Sequence, residues 1–284
     1  MTGVTAGVTA RQGSPEHFDY LLRLGDNALI LGQRLSEWCG HGPILEEDIA
    51  LANIALDLIG QARLVLSYAA RVEGKDRDED ALAFLRDARE FRNCTLVELP
   101  DVLPTSPTAA TAATSEDLDF AVAVVRIFLF SSFQSLQWQM LGSSVDDALS
   151  AIALKSLKES RYHEDHAAEW LVRLGDGTEE SRARVERALA ALWPYTTELF
   201  VADAIDRAMA AAGIGVDPST LRSTWTDGVA AVLERATLSI PLPSVMLAAP
   251  AMRTDGKSGS HSEHLERLLV EMQVLQRAYP GGSW

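Results

Sequence analysis

The stretch from residue 46 to residue 72 constrains this chain more than any other. Read as a helix, it carries Ile49, Leu51, Ile54, Leu56, Leu58, Ile59, Val65 and Leu66 on every face. A helix that is apolar all round belongs inside a bundle, because none of its faces suits water. A second helical pattern, 18–39, precedes it across the short turn Gly40-His41-Gly42-Pro43, and so short a connection makes the two helices antiparallel neighbours. The few polar residues of the apolar helix include Asn53, Asp57 and Gln61, spaced four apart with Gly60 beside them, so its one polar stripe is expected to point into the protein.

Elsewhere Leu, Ala, Glu and Arg dominate long stretches while Gly and Pro fall between them, which makes the fold class all-α. A shorter helix is predicted over 79–97, followed by a Pro/Thr/Ala-rich flexible surface loop over 99–115. Thr114-x-x-Asp117 has the spacing of a cap for a helix reaching Leu141, and Asp146 or Asp147 opens the next one, which stops at Gly175-Asp-Gly177. These form a second long hairpin. Two long hairpins joined by a crossover are the wiring of a ferritin-like four-helix bundle. Helices at 179–191, 194–212 and 218–236 pack on its outside. Residues 241–259 cross the surface as an irregular arm with three prolines, and Ser260-x-x-Glu263 caps a last helix ending near Pro280. Residues 1–17 read as a flexible lead-in to a single domain, 18–284.

With 47% hydrophobic and 23% charged residues, a chain of 284 residues can bury a sizeable core. Against 25 Lys+Arg stand 40 Asp+Glu, a net charge of −15 scattered along the helices, which excludes a nucleic-acid groove. No uncharged apolar run is long enough to span a bilayer and the N-terminus lacks the apolar stretch of a signal peptide, so no membrane association and a cytoplasmic location are expected. Cys39 and Cys94 fall inside helical patterns and are expected as buried thiols in a reducing compartment.

A carboxylate di-iron centre in such a bundle needs one Glu from each of two helices and a Glu-x-x-His from each of the other two. The carboxylates offset the metal charge and the imidazoles complete the coordination, leaving open positions for dioxygen. The residues three before the six histidines are Ser14, Trp38, Ser160, His163, Ser258 and His261, so no Glu-x-x-His occurs. At the expected places the second helix reads Asp57-Leu58-Ile59-Gly60 and the fifth reads Glu159-Ser160-Arg161-Tyr162, leaving both imidazole positions empty. The single-carboxylate positions hold Asp26 and the neutral Gln134. Asp26, Asp57, Gly60, Gln134, Glu159 and Tyr162 are therefore vestigial positions, with no metal, no cofactor and no catalytic residue expected in this chain. If these carboxylates are buried, a cation such as Arg34, Arg63 or Arg161 is expected beside them.

His163 shares the apolar seam of its helix with Leu149, Ile152, Ala167 and Leu174, where a hydrogen-bonded core histidine is the usual occupant. His261 and His264 open a helix after a Gly/Ser-rich stretch and are expected at a surface or interface. Two other readings stay open: a divergent oxidase with Glu159, His163 and Asp57 as irregular ligands, and a module gripping a CoA ester at an interface.

The chain resembles the PaaC-type C subunits of bacterial ring-1,2-phenylacetyl-CoA epoxidases, also called phenylacetate-CoA oxygenases. The likeness is carried by Leu22-Arg-Leu-Gly-Asp-Asn27, Glu37-Trp-Cys-Gly-His41, the run 51–63, Lys158-Glu-Ser-Arg-Tyr-His163 and Arg173-Leu-Gly-Asp-Gly-Thr178. It continues through Leu192-Trp-Pro-Tyr195, His261-Ser-Glu-His-Leu265, Glu271-Met-Gln273, Leu275-Gln-Arg277 and Trp284. The resemblance implies a structural, non-catalytic subunit of an oxygen- and NADPH-dependent monooxygenase complex that epoxidises the ring of phenylacetyl-CoA during aerobic phenylacetate breakdown. It further implies a homologous catalytic A subunit that holds the di-iron centre and pairs with this chain in a heterodimer or larger assembly. A small bridging B subunit and a reductase with FAD, a [2Fe–2S] cluster and NADPH complete the implied set. The loop between Glu98 and Asp119 is longer than the family's usual short turn.

Overall fold

In a computed structural model, residues 13–103, 117–242 and 255–282 are described, and these contain helices but no β-strand. Four long helices form the core: α1 (Pro15–Ser36), α2 (Leu45–Glu73), α5 (Phe120–Leu141) and α6 (Asp147–Gly175). Between the two hairpins lie α3 (Glu79–Phe84) and α4 (Thr95–Glu98). After them come α7 (Glu179–Leu192), α8 (Thr196–Leu199), α9 (Ala204–Ala211), α10 (Arg222–Arg235) and α11 (Glu263–Ala278). This is the expected all-α, ferritin-like bundle. One continuous apolar cluster runs from Tyr20 on α1 to Leu269 on α11.

Each long helix starts where its cap dictates. Ser14 accepts the His17 N–H at 3.2 Å with Pro15 in the first turn, so α1 begins within the expected lead-in, and the rest of that lead-in, 1–12, lies outside the described residues. Helix α5 is capped by Asp119, not at Thr114, which lies outside the described residues together with 104–116. The isolated bridge between Val102 and Leu118 closes the base of that segment. The C-terminal helix is capped by Ser262, two residues after the expected Ser260, and most of the arm before it, 243–254, is outside the described residues.

Helices α1 and α2 pack through glycines. A methyl group added at Gly25 would lie 2.8 Å from Leu66 Cδ2, and one at Gly32 would lie 3.1 Å from Ile59 Cγ1 and 3.2 Å from the Ala55 carbonyl. The spacing of seven puts both on one helical face, where the missing side chains let the helices approach closely. Helix α5 is long and apolar enough to cross a membrane, as is α2, but 83% of the most apolar window of α5 is buried inside the fold and Arg126 sits in its second turn. That arginine pairs with Asp101 at zero exposure, and Asp101 also accepts the Trp38 indole N–H at 2.9 Å.

Four expectations need correction. Residues 79–97 do not form one helix: backbone N–H groups of Arg92, Cys94 and Thr95 donate to the side chains of Asp26, Asn27 and Glu198 instead of to carbonyls four residues earlier. Residues 194–212 are divided because Asp203 caps a new helix by accepting the Ile205 and Asp206 N–H groups. Helix α1 stops at Ser36, so Cys39 falls in the following turn and is exposed, whereas Cys94 is buried and burial pushes its thiol pKa up. Helix α2 is not enclosed on all sides, since Ile49 and Leu56 are 53% and 65% exposed.

Candidate functional site

The six positions read from the sequence lie on the four core helices, but their side chains do not converge on one point. Asp26, on α1, is fully buried, and its carboxylate is taken up by Arg86, whose Nη1 donates to Oδ2 at 2.9 Å while Nη2 engages Oδ1. The backbone N–H of Arg92 supplies a third donor to Oδ2 at 2.8 Å. Arg86 is itself held by the carbonyls of Leu82 and Glu90 and by the Phe91 ring, 4.2 Å from the guanidinium carbon to the ring centroid. A buried cation beside the carboxylate was expected, but from Arg34, Arg63 or Arg161. Arg34 instead binds Glu37 and the Glu98 and His264 carbonyls, Arg63 projects to solvent near Glu79, and Arg161 reaches Gln139. Nothing in the sequence distinguished Arg86, because it sits in a segment that reads as an ordinary helix.

The remaining positions form cross-links between helices. Asp57 on α2 meets Nε2 of His163 on α6 at 3.1 Å, and the imidazole is 1% exposed against 39% for the carboxylate. One turn further along, Gln61 donates to Glu159 at 3.0 Å. In the other direction His166 Nε2 lies 3.1 Å from Glu47. These three pairs run antiparallel up the α2–α6 seam, although the buried Oε1 of Gln61 accepts no hydrogen bond. Gln134 on α5 accepts the Ser160 hydroxyl at 2.9 Å. His163 is therefore the hydrogen-bonded core histidine its register predicts.

Gly60 offers no side chain, and a Cβ there would meet nothing within 4 Å. Tyr162 turns outward, 55% exposed, and stacks on His166 with ring centroids 6.1 Å apart. The residues at these positions do not fit a pair of iron ions: one carboxylate is committed to an arginine, one position is a neutral amide, and neither imidazole position carries nitrogen. Among the described residues no group of three or more His, Cys, Asp or Glu side chains is arranged to hold a metal ion. A cavity of about 20 Å³ beside α1, lined in part by Arg23, Asn27, Arg92, Glu198 and Lys257, has room for no more than a water molecule.

A second buried polar cluster was missed from the sequence. Glu98, on α4, accepts from Asn93 Nδ2 at 2.9 Å, from the Ser262 N–H at 2.6 Å and from His261 Nδ1 at 2.8 Å. The other ring nitrogen of His261 faces the Phe91 carbonyl at 3.0 Å, so both nitrogens point at acceptors and the ring is suited to carry two protons. Burial works against that charge, but the Glu98 carboxylate and the Phe91 carbonyl outweigh it and the pKa is raised. Contrary to expectation, the His261 side chain is only 3% exposed. Glu198 plays a parallel part, accepting the Thr95 and Gly256 N–H groups at 2.9 and 3.0 Å. The two carboxylates bind the C-terminal segment to the crossover between the hairpins.

Fold and site together define a ferritin-like helical bundle whose centre is closed by side-chain pairs. Residues 5–284 match the family of phenylacetic acid catabolic proteins, and the chain belongs to that family. It is 47% identical over 265 residues to the C subunit of the 1,2-phenylacetyl-CoA epoxidase of Escherichia coli (strain K12), a match covering 93% of this chain and 98% of that protein.

Proposed function

We propose that this chain is the structural, non-catalytic subunit of a multicomponent phenylacetyl-CoA epoxidase, acting in the cytoplasm in aerobic phenylacetate breakdown. The observation that carries the reading is the Asp26–Arg86 pair, which occupies a carboxylate that a di-iron centre would need. Family membership and the relative's name as a subunit support a place in an assembly. In this reading a homologous A subunit holds the di-iron centre and is stabilised by pairing with this chain. A small B subunit bridges the assembly, and a reductase with FAD and a [2Fe–2S] cluster delivers electrons from NADPH.

The test is to purify this chain alone and with the A-type subunit, then to measure iron content and oxygen- and NADPH-dependent epoxidation of phenylacetyl-CoA, with reductase added. The expected result is iron and turnover only in preparations containing the A-type subunit. Stoichiometric iron with turnover in the lone chain would overturn the proposal, as would failure of the two chains to co-purify.

A further inference from the structure

We propose that residues 255–278 form a strap that opens from the bundle as a unit. Its latch is the contact of His261 with Glu98, closed while the imidazole carries two ring protons and loosened when it gives one up. The proposal does not depend on the assembly reading above.

The strap consists of a single helical turn at Gly256–Ser258 followed by α11, and it packs mainly on the crossover between the hairpins and on α1. Its apolar anchoring is thin. Leu265, Leu268 and Leu269 are buried, whereas Val270, Val274 and Leu275 are more than half exposed. The rest of the attachment is polar. Glu98 accepts the Ser262 N–H at 2.6 Å, Glu198 accepts the Gly256 N–H at 3.0 Å, Lys257 donates to Asp206 at 2.7 Å and Gln273 donates to the Arg86 carbonyl at 2.9 Å. An element with few buried apolar contacts opens at lower cost than the core it covers. Yet its seat is unforgiving. A Cβ at Gly256 would lie 2.2 Å from the Asn93 carbonyl oxygen, and one at Gly259, where φ is +85°, would lie 2.2 Å from that of Arg89. So close a fit gives a strap that is seated or lifted, with little between.

His261 stands at the centre of this attachment, with Nδ1 2.8 Å from Glu98 Oε2 and Nε2 3.0 Å from the Phe91 carbonyl. With two ring protons both contacts are hydrogen bonds. With one, a nitrogen lone pair must face an oxygen, and that contact turns repulsive. Burial opposes the charge, but Glu98, the Phe91 carbonyl and Asp26 of α1 favour it. The other charged neighbours are already engaged. Arg34 of α1 is held by Glu37 and by the Glu98 and His264 carbonyls, Glu198 of α8 spends both oxygens on backbone N–H groups, and Lys257 is paired with Asp206. Burial raises the Tyr195 pKa, and burial with Arg34 lowers that of His264, so both stay neutral beside the latch. In the lifted strap His261 returns to water and to a pKa of about 6.5. The latch is therefore complete below that value and is lost as pH rises through the raised one.

Cys94 reports whether the strap is seated. It is 2% exposed and lines the small cavity beside α1 together with Glu198 and Lys257, so lifting the strap uncovers it. The experiment uses the full chain with Cys39→Ser, because Cys39 is exposed from the start. It measures the rate at which an aromatic disulfide reagent labels Cys94 between about pH 6 and 9, divided at each pH by the rate for a small free thiol. The expected normalised rate rises about three- to tenfold with pH and is insensitive to low urea, as local opening is. His261→Gln should label fast at every pH, and His264→Gln should keep the parent's profile. A parent rate that does not change with pH would overturn the latch. A rate that climbs with urea as steeply as global unfolding would overturn the strap as a separate unit, and both measurements stand on the parent chain even if His261→Gln fails to fold.

Discussion

Arg86 closes on Asp26 in the interior of the protein, with the carboxylate at 0% exposure and the guanidinium at 1%. The pairing is two-pronged, with Nη1 2.9 Å from Oδ2 and Nη2 against Oδ1, and it ties the crossover segment to the first core helix. Breaking such a pair from one side strands a charge away from water, at a cost of roughly 3–5 kcal/mol. Arg86→Met is therefore expected to lower unfolding free energy by about that amount, read from urea denaturation. Adding Asp26→Asn to it should restore a large part, because the amide oxygen still accepts the Arg92 N–H and no unpaired charge remains. Simple additivity of the two substitutions would show that the ion pair is not the source of the effect.

Putting imidazoles back at the two empty positions tests whether they alone exclude iron. The double variant Gly60→His/Tyr162→His places a nitrogen ligand three residues after Asp57 and after Glu159. Asp26 would still be held by Arg86, and Gln134 would still be neutral. The expected iron content after anaerobic ferrous loading stays well below one equivalent by elemental analysis. Two equivalents would show that Asp26 is free to leave Arg86.

The two buried histidines at opposite ends of the chain should give opposite pH dependences. His261 has a raised pKa in the fold, so its charged form is the stabilising one. Its contribution is complete below the unfolded value of about 6.5 and is lost as pH rises through the raised pKa. His17 is the reverse: burial pushes its pKa down despite the Asp146 carboxylate 3.3 Å from Nε2, and its Nδ1 accepts the Gly13 N–H at 3.1 Å. Its contribution is present above about 6.5 and is lost as pH falls through the lowered pKa. Urea midpoints across pH 5 to 8.5, on the order of the usual working range, should show His261→Gln removing loss on the alkaline side and His17→Gln removing loss on the acid side. Identical profiles for both variants would contradict the assignment.

The long helices were legible because their apolar periodicity and turn residues are local signals. The core position of His163 followed from the same register, but its partner, the 39% exposed Asp57 of α2, did not. What was not legible is the crossover. Its backbone is organised by distant side chains, Asp26, Asn27 and Glu198, which take N–H groups that a helix would have used. No window of neighbouring residues contains that information. Arg86 and Glu98 escaped notice for the same reason: each acts through a partner more than 50 residues away, Asp26 for one and His261 for the other. Conversely, the all-round apolarity of α2 was overread as full enclosure, because an exposed apolar stripe and a buried one look alike in sequence.

The glycines of the first hairpin separate close packing from helix propensity. Gly25, Gly32 and Gly60 all lie inside helices, so changing any of them to alanine brings the same intrinsic gain of about 1 kcal/mol. Their surroundings differ. At Gly25 the new methyl would stand 2.8 Å from Leu66 Cδ2, and at Gly32 it would press on the Ile59 side chain and the Ala55 carbonyl of α2. Overpacking of that kind costs about 1–3 kcal/mol and cancels or reverses the gain. At Gly60 the methyl enters open space, so the gain should appear undiminished in the isolated chain. Thermal and urea unfolding should therefore rank Gly60→Ala above the parent, with Gly25→Ala and Gly32→Ala at or below it. A destabilised Gly60→Ala would mean that the recess on the outer face of α2 is filled by something in the free protein.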